Sequence, residues 1–242
     1  KWEGVPHHRK QWIAGPAASG GEGFSQTGAA EAQPTDLMLL DIPLIDTSDA
    51  EPGYYVAAAG RNSTRWRGAA LFKSTDGGTN YAQIGQANAA ATMGSTSTAL
   101  PDFGGGNVFD EHSSVTVTLT AGSGTLDSKT EALVLNGENE AIIGAEVVRF
   151  KNATLTATRT YVLTGLLRGR RGTEWAMGGH EAIERFCLLP VFDLTMQPGE
   201  IGAARHYKAV TLGSSLASAD AIPFVNRAVR MKPLAPVNLG GG

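Results

Sequence analysis

Cysteine occurs once, at Cys187, so no internal disulfide framework is available and the small stapled folds are excluded. Charge is sparse: 20 Lys and Arg against 23 Asp and Glu leave a net charge of −3, so no field strong enough to draw nucleic acid is expected. No apolar run approaches the ~20 residues that a membrane helix needs, and no membrane span is expected. No window holds apolar residues at i, i+3 and i+4 for long, so helix should be minor. G-x-S-x-G, the P-loop and a strand-linked G-x-G-x-x-G are all missing. No catalytic residue, metal or cofactor is expected.

Glycine is what the chain has in quantity, at 31 of 242 residues. That composition suits many short strands joined by long loops. Short apolar runs at Leu37–Leu40 and Tyr54–Ala59 read as buried strands. Ala69–Lys73 and Tyr81–Ile84 flank Asp76-Gly77-Gly78, a hairpin signal. Val115–Thr120 alternates, with valines and leucine on one face and threonines on the other. Leu133–Leu135 before Asn136-Gly137 reads as a second hairpin, and Thr154–Thr164 as one alternating strand with Leu155, Ala157, Tyr161 and Leu163 inward. The expected fold is all-β: two antiparallel β-sandwich or barrel-like units with long Gly-rich loops. The expected divisions are a remnant or linker at 1–35, a β domain at 36–100 and a second at 101–239. The chain opens at Lys1 without Met and stops at three glycines, so it is read as a piece of something longer.

Two motifs invite a chemical reading. Ser74, Asp76, Gly78 and Tyr81 fit the Asp-box of sialidase-like propellers, but a propeller repeats its blades and only one copy is present. A lone copy is a turn device, with Asp76 accepting from nearby backbone N–H groups. His180-Glu181-x-x-Glu184 opens like a zincin helix but has Glu where the second His belongs. His7 and His8 are adjacent, and neighbours on a strand point to opposite faces, so they read as part of a basic remnant rather than a metal site.

The most unusual stretch is Leu166–Pro190, LLRGRRGTEWAMGGHEAIERFCLLP. Arg168, Arg170 and Arg171 alternate with Gly169 and Gly172, which allow a tight turn. A guanidinium offers a planar fork of donors suited to carboxylates and carbonyls. Glu174, Glu181 and Glu184 lie close in sequence and are the expected partners. Trp175, His180 and Arg185 complete the candidate set of structural or interface residues. The arginines are expected to bridge the strand before the loop to the return strand at Arg185–Leu189, or to a neighbouring subunit.

The stretch Leu163–Ala176, L-x-G-L-L-R-G-R-R-G-T-E-W-A, followed by Gly179–Phe186, G-H-x-x-x-E-R-F, resembles the C-terminal part of the large tail-tip hub proteins of siphophages and gene transfer agents. Lys232–Val237, K-P-x-x-P-V, is similar to that family's ending, and Cys187 departs from it where an apolar residue is common. The resemblance spans roughly Asp36–Asn238 and is densest from Gly104 to Leu189. It implies a virion structural protein of the tail tip or baseplate hub, made in a bacterial host's cytoplasm and supporting fibre attachment and host recognition. The implied partners are further copies of itself, usually as a trimer, other tail and baseplate proteins, tail fibres, and a host receptor or glycan. The alternative from the Asp-box and the aromatic residues is a carbohydrate-binding or carbohydrate-active module.

Overall fold

In the computed structural model, residues 34–62 and 64–232 are described. The His7–His8 pair, nearly all of the expected 1–35 segment and the ending after Lys232 lie outside them. The described strands are β1 (Thr35–Leu40), β2 (Gly53–Gly60), β3 (Ala69–Ser74), β4 (Ala82–Ala87), β5 (Met93–Thr96), β6 (Phe109–Asp110), β7 (Val115–Leu119), β8 (Glu140–Ile143), β9 (Glu146–Ala157), β10 (Thr160–Arg170), β11 (Arg185–Leu188), β12 (Phe192–Thr195), β13 (Ala204–Thr211) and β14 (Ile222–Val225). One short helix, α1 (Glu131–Leu135), joins several single 3-10 turns. The fold is all-β, as expected.

The strands form three sheets. Strands β10, β7, β5, β11, β8 and β9 pair in that order, and β9 pairs back onto β10, which closes a six-stranded antiparallel barrel. Closure leaves no free edge within the ring. β6 adds to β10 at Leu166 and Leu167. A second sheet is β1-β2-β12 and a third is β14-β13-β3-β4. Strands from both sides of residue 101 share sheets: β5 pairs with β7 and β11, β12 with β2, and β13 with β3. The sheets therefore do not divide where the sequence suggested.

Three apolar clusters explain the layering. The barrel interior holds Val115, Val117, Leu119, Ile143, Phe150, Leu163, Leu166 and Phe186. The barrel's outer face, through Met93, Ile142, Val147 and Cys187, packs on Tyr55, Ala57 and Ala59 of β2. The other face of β2, through Tyr54 and Val56, packs on Ala69 and Leu71 of β3 and Tyr207 and Ala209 of β13. All eight residues of β2 are buried, which is why GYYVAAAG reads as a continuous apolar run without alternation. Tyr207 meets Tyr54 and Phe224 edge to face there, and Tyr54 and Phe224 are tilted against each other, with centroids 5.4–5.9 Å apart.

Two local readings are corrected. Leu133–Leu135 is helix, not strand. Thr130 caps the N-terminus, its hydroxyl accepting from Leu133 N, and Gly137 at φ +111 follows Asn136 at the other end. A cap residue and a positive-φ glycine at that spacing end a helical turn as readily as they make a hairpin. The Thr154–Thr164 run is two strands, because it reverses at Arg159, which has φ +56. Tyr161 and Leu163 face inward on β10, whereas Leu155 on β9 is exposed. The Asp76 turn behaves as expected: Asp76 Oδ1 accepts from Thr79 N at 3.2 Å and Asn80 N at 2.9 Å. Hydrogen bonds from Asn80 N–H first, then the Ser74 hydroxyl and the Asn80 side chain, hold its carboxyl down at about 2.

Gly94 tests the barrel seam. A Cβ there would sit 2.1 Å from Thr118 O and 2.8 Å from Leu119 Cα, both backbone atoms with nowhere to move. Overpacking of this kind typically costs about 1–3 kcal/mol. Gly94→Ala should lower the urea midpoint accordingly, while Gly199→Ala, which meets nothing within 4 Å, should leave it unchanged.

Candidate functional site

Four ionisable side chains meet at one end of the barrel. Glu146 starts β9 and shares its inward face with Val148 and Phe150; Arg168 shares the inward face of β10 with Leu166. Arg168 is only 2% exposed and Glu146 is fully buried. The guanidinium grips the carboxylate in a fork: Nε donates to Oε1 at 2.9 Å and Nη2 to Oε2 at 2.8 Å. Gly169 N adds a third donor to Oε1 at 2.6 Å, and His180 Nε2 lies 2.8 Å from Oε2. Arg168 gives two further N–H groups to Pro101 O at 2.9 Å and Met177 O at 3.1 Å. Asp110 Oδ2 stands 3.6 Å from Nη1.

The backbone is shaped for this grip. β10 bulges between Leu167 and Arg170, so Gly169 turns to φ +59 and aims its N–H at Glu146. A Cβ at Gly169 would meet Met177 Sδ at 2.7 Å and Glu174 Cα at 3.0 Å. Burial by itself would raise the Glu146 carboxyl, but hydrogen bonds from His180 and Arg168 and the Arg168 charge overcome it and hold the pKa low. The partner effect wins because this carboxylate receives four donors. For His180, the bond to Glu146 raises the pKa, burial opposes that, and the bond to Glu184 adds to the rise.

The other candidates tie the barrel to its surroundings. Arg171, at φ +57, gives Nε to Glu140 Oε2 at 2.8 Å and Nη1 to Leu44 O at 2.7 Å. Glu140 also receives Arg149 Nε at 3.0 Å. Arg185 gives Nε to Gly144 O at 2.8 Å and Nη1 to Leu39 O at 3.2 Å, crossing from β11 to β1. Arg170 bonds Asn107 Oδ1 through Nη1, while its buried Nε has no partner among the described residues. Glu174 begins a 3-10 turn, and Trp175 beside it is 75% exposed. Trp175 and Arg171 line an open groove of about 300 Å³ together with Ile42, Pro43 and Lys232.

The expected partners need correction. The forks of Arg168 and Arg171 land on Glu146 and Glu140, not on Glu174, Glu181 or Glu184. Glu184 pairs with His180 Nδ1 at 2.6 Å instead. Arg168 bridges β10 to β9 and two loops rather than to the return strand. Glu146 and Glu140 escaped sequence reading because they lie 22 and 31 residues from their arginines. The available signal was polarity at a core register: Glu140 and Glu146 flank Ile142-Ile143 and Val147-Val148 at positions where an apolar strand has no use for charge. Cys187 is buried against β2, and burial pushes its thiol up to about 12, so it is an inert core residue. Among the described residues no group of His, Cys, Asp and Glu is arranged to hold a metal ion.

Residues 91–187 match the family model described as Rcc01698-like, C-terminal. That span runs from just before β5 to the third residue of β11, and so takes in the barrel strands and the Arg168–Glu146 cluster. No curated protein matches the chain. No helix among the described residues is long and apolar enough to cross a membrane.

Arg168→Ala should be the most damaging of the loop substitutions. It leaves a buried carboxylate without its fork, a loss that typically costs about 3–5 kcal/mol. Arg168→Lys should recover only part, because an ammonium cannot reach both oxygens and both carbonyls. Arg171→Ala should cost less, since Glu140 keeps Arg149. Urea unfolding of the three variants checks the order. Stability should also fall on acidification: a carboxyl held below its ordinary 4.5 stabilises the fold above that pH and loses the contribution as pH drops through its folded value. A urea midpoint that stays flat from about pH 5 down to about pH 3 would contradict the buried Glu146 anion.

Proposed function

We propose that the chain is a structural β module of a phage or gene transfer agent tail tip or baseplate hub, where it supports fibre attachment and host recognition without enzymatic activity. One observation carries the reading: the family match covers the barrel, whose Arg/Gly segment is the part of the sequence that resembles the hub proteins. The site's chemistry agrees with it. The fork of Arg168, the ring of His180 and the carboxylates of Glu146 and Glu140 are bound to each other or to backbone carbonyls. Groups held in this way fix a scaffold; a catalyst needs a group that is placed but still available to substrate. The proposed partners are further copies of this chain, other tail proteins and a fibre, in a virion.

A carbohydrate-binding role is the second reading, favoured by Trp175 at the groove with Arg171. An exposed indole face is a suitable platform for a sugar.

Particles from a host carrying a tagged copy of the full-length chain should show the tag at one tail end by electron microscopy. A tag spread through the soluble fraction and absent from particles would refute the hub reading. For the second reading, host surface polysaccharide should quench tryptophan fluorescence, and Trp175→Ala should abolish that change.

A further inference from the structure

His180 has a geometry that the scaffold role does not require. Its side chain is 3% exposed, and both ring nitrogens face carboxylate oxygens: Nε2 meets Glu146 at 2.8 Å and Nδ1 meets Glu184 at 2.6 Å. An ionised carboxylate only accepts, and a neutral imidazole has one N–H. Both contacts are satisfied together only by the imidazolium. The charged groups around the ring come from every neighbouring element: Glu146 on β9, Arg168 on β10, Asp110 on β6 behind Arg168, Glu184 on the same loop, and Asp102, which accepts Gly179 N at 2.8 Å.

The two carboxylates are held unequally. Glu146 keeps the Arg168 fork and Gly169 N if the histidine lets go. Glu184 is 26% exposed at its side chain, lies against Gly144 and can be rehydrated. Loss of the ring proton therefore breaks the outer contact, not the inner one. Directly before Glu184 stands Ile183, a β-branched residue at φ +69 and 82% exposed. That backbone region is strained for such a residue, and strain persists only where the surroundings hold it. The holding contacts are few: Ile183 N to Thr96 O at 2.9 Å, Glu184 N to Thr96 Oγ1 at 3.0 Å, Thr96 N to Glu184 O at 2.8 Å, and the His180–Glu184 pair.

From this geometry we infer that His180 is a protonation-dependent latch that pins the strained, outward-facing Ile183 turn to the barrel rim. With the ring charged, the turn is fixed and Ile183 is presented at the surface. With the ring neutral, Glu184 swings into water and the turn relaxes, while the Arg168–Glu146 grip and the barrel stay intact. The latch stands independently of the hub reading. Its sign follows from the raised pKa: the extra hold is complete below the ordinary histidine value of 6.5 and is lost as pH rises through the folded value.

Hydrogen exchange on the purified chain, corrected for intrinsic rates, tests it. The protection of the Ile183 and Glu184 amides should fall by about tenfold between roughly pH 6 and pH 9, the factor that a lost charge-assisted hydrogen bond brings. The midpoint should coincide with the His180 ring titration followed by NMR, and Phe186 in the barrel should not respond. In His180→Gln the pH response of the turn should vanish. Glu184→Gln, altered at the exposed end and expected to fold, should lower the His180 midpoint. Protection that is flat with pH in the wild type, an unchanged response in His180→Gln, or an unchanged midpoint in Glu184→Gln each overturns the latch.

Discussion

The grip of Arg168 on Glu146 constrains everything near it. Two opposite charges fully inside a small barrel are tolerable only if nearly every donor and acceptor is used. Here the carboxylate takes four donors, and the guanidinium supplies both its partner and two backbone carbonyls. Those carbonyls belong to Pro101 and Met177, on segments that have no strand pairing at those positions. The ion pair therefore fixes two irregular loops against the barrel end. A hydrophobic plug of the same volume would fill the space but would give those carbonyls no donor.

The same logic, weaker and closer to solvent, joins the barrel to the β1-β2-β12 sheet. Arg171 reaches Leu44 O, and Arg185 reaches Leu39 O, each from a barrel strand or its loop to the segment on or after β1. Between these polar ties lies the apolar contact of Met93, Ile142, Val147 and Cys187 with β2. Apolar packing is non-directional, whereas a fork meeting a carbonyl fixes where the layers stop sliding. Arginine suits this work because it stays charged when buried, even where burial lowers its pKa, as at Arg185.

What the sequence revealed was what is local. The alternation of Val115, Val117 and Leu119, the Asp76 turn and the all-apolar β2 depend on neighbours a few residues away, and each is found where it was expected. The arginines were also conspicuous, because glycines beside them have no reason in a plain strand. Their partners were not, since pairing across 22 residues depends on the register of β9 on β10 and on the bulge at Gly169. The domain division failed to follow the sheets for a related reason. β12 and β13 return to β2 and β3 after the whole barrel has been made, and no local pattern announces such a return.

Thr130, Asn136 and Gly137 serve a hairpin and a helix equally well by residue type, and Leu133-Val134-Leu135 suits either. Contacts from outside add to the helical choice: Arg149 donates to Leu135 O at 3.3 Å and, also at 3.3 Å, to Val134 O, which already accepts Gly137 N. Arg149 is also the second cation on Glu140, which holds Arg171. One buried carboxylate thus links the end of α1, the first turn of the arginine loop and, through Leu44, the next sheet. The arginines do not act as a cluster of like charges on a loop. Arg168, Arg171 and Arg149 are held by two glutamates, and the loop's conformation follows from where those glutamates lie.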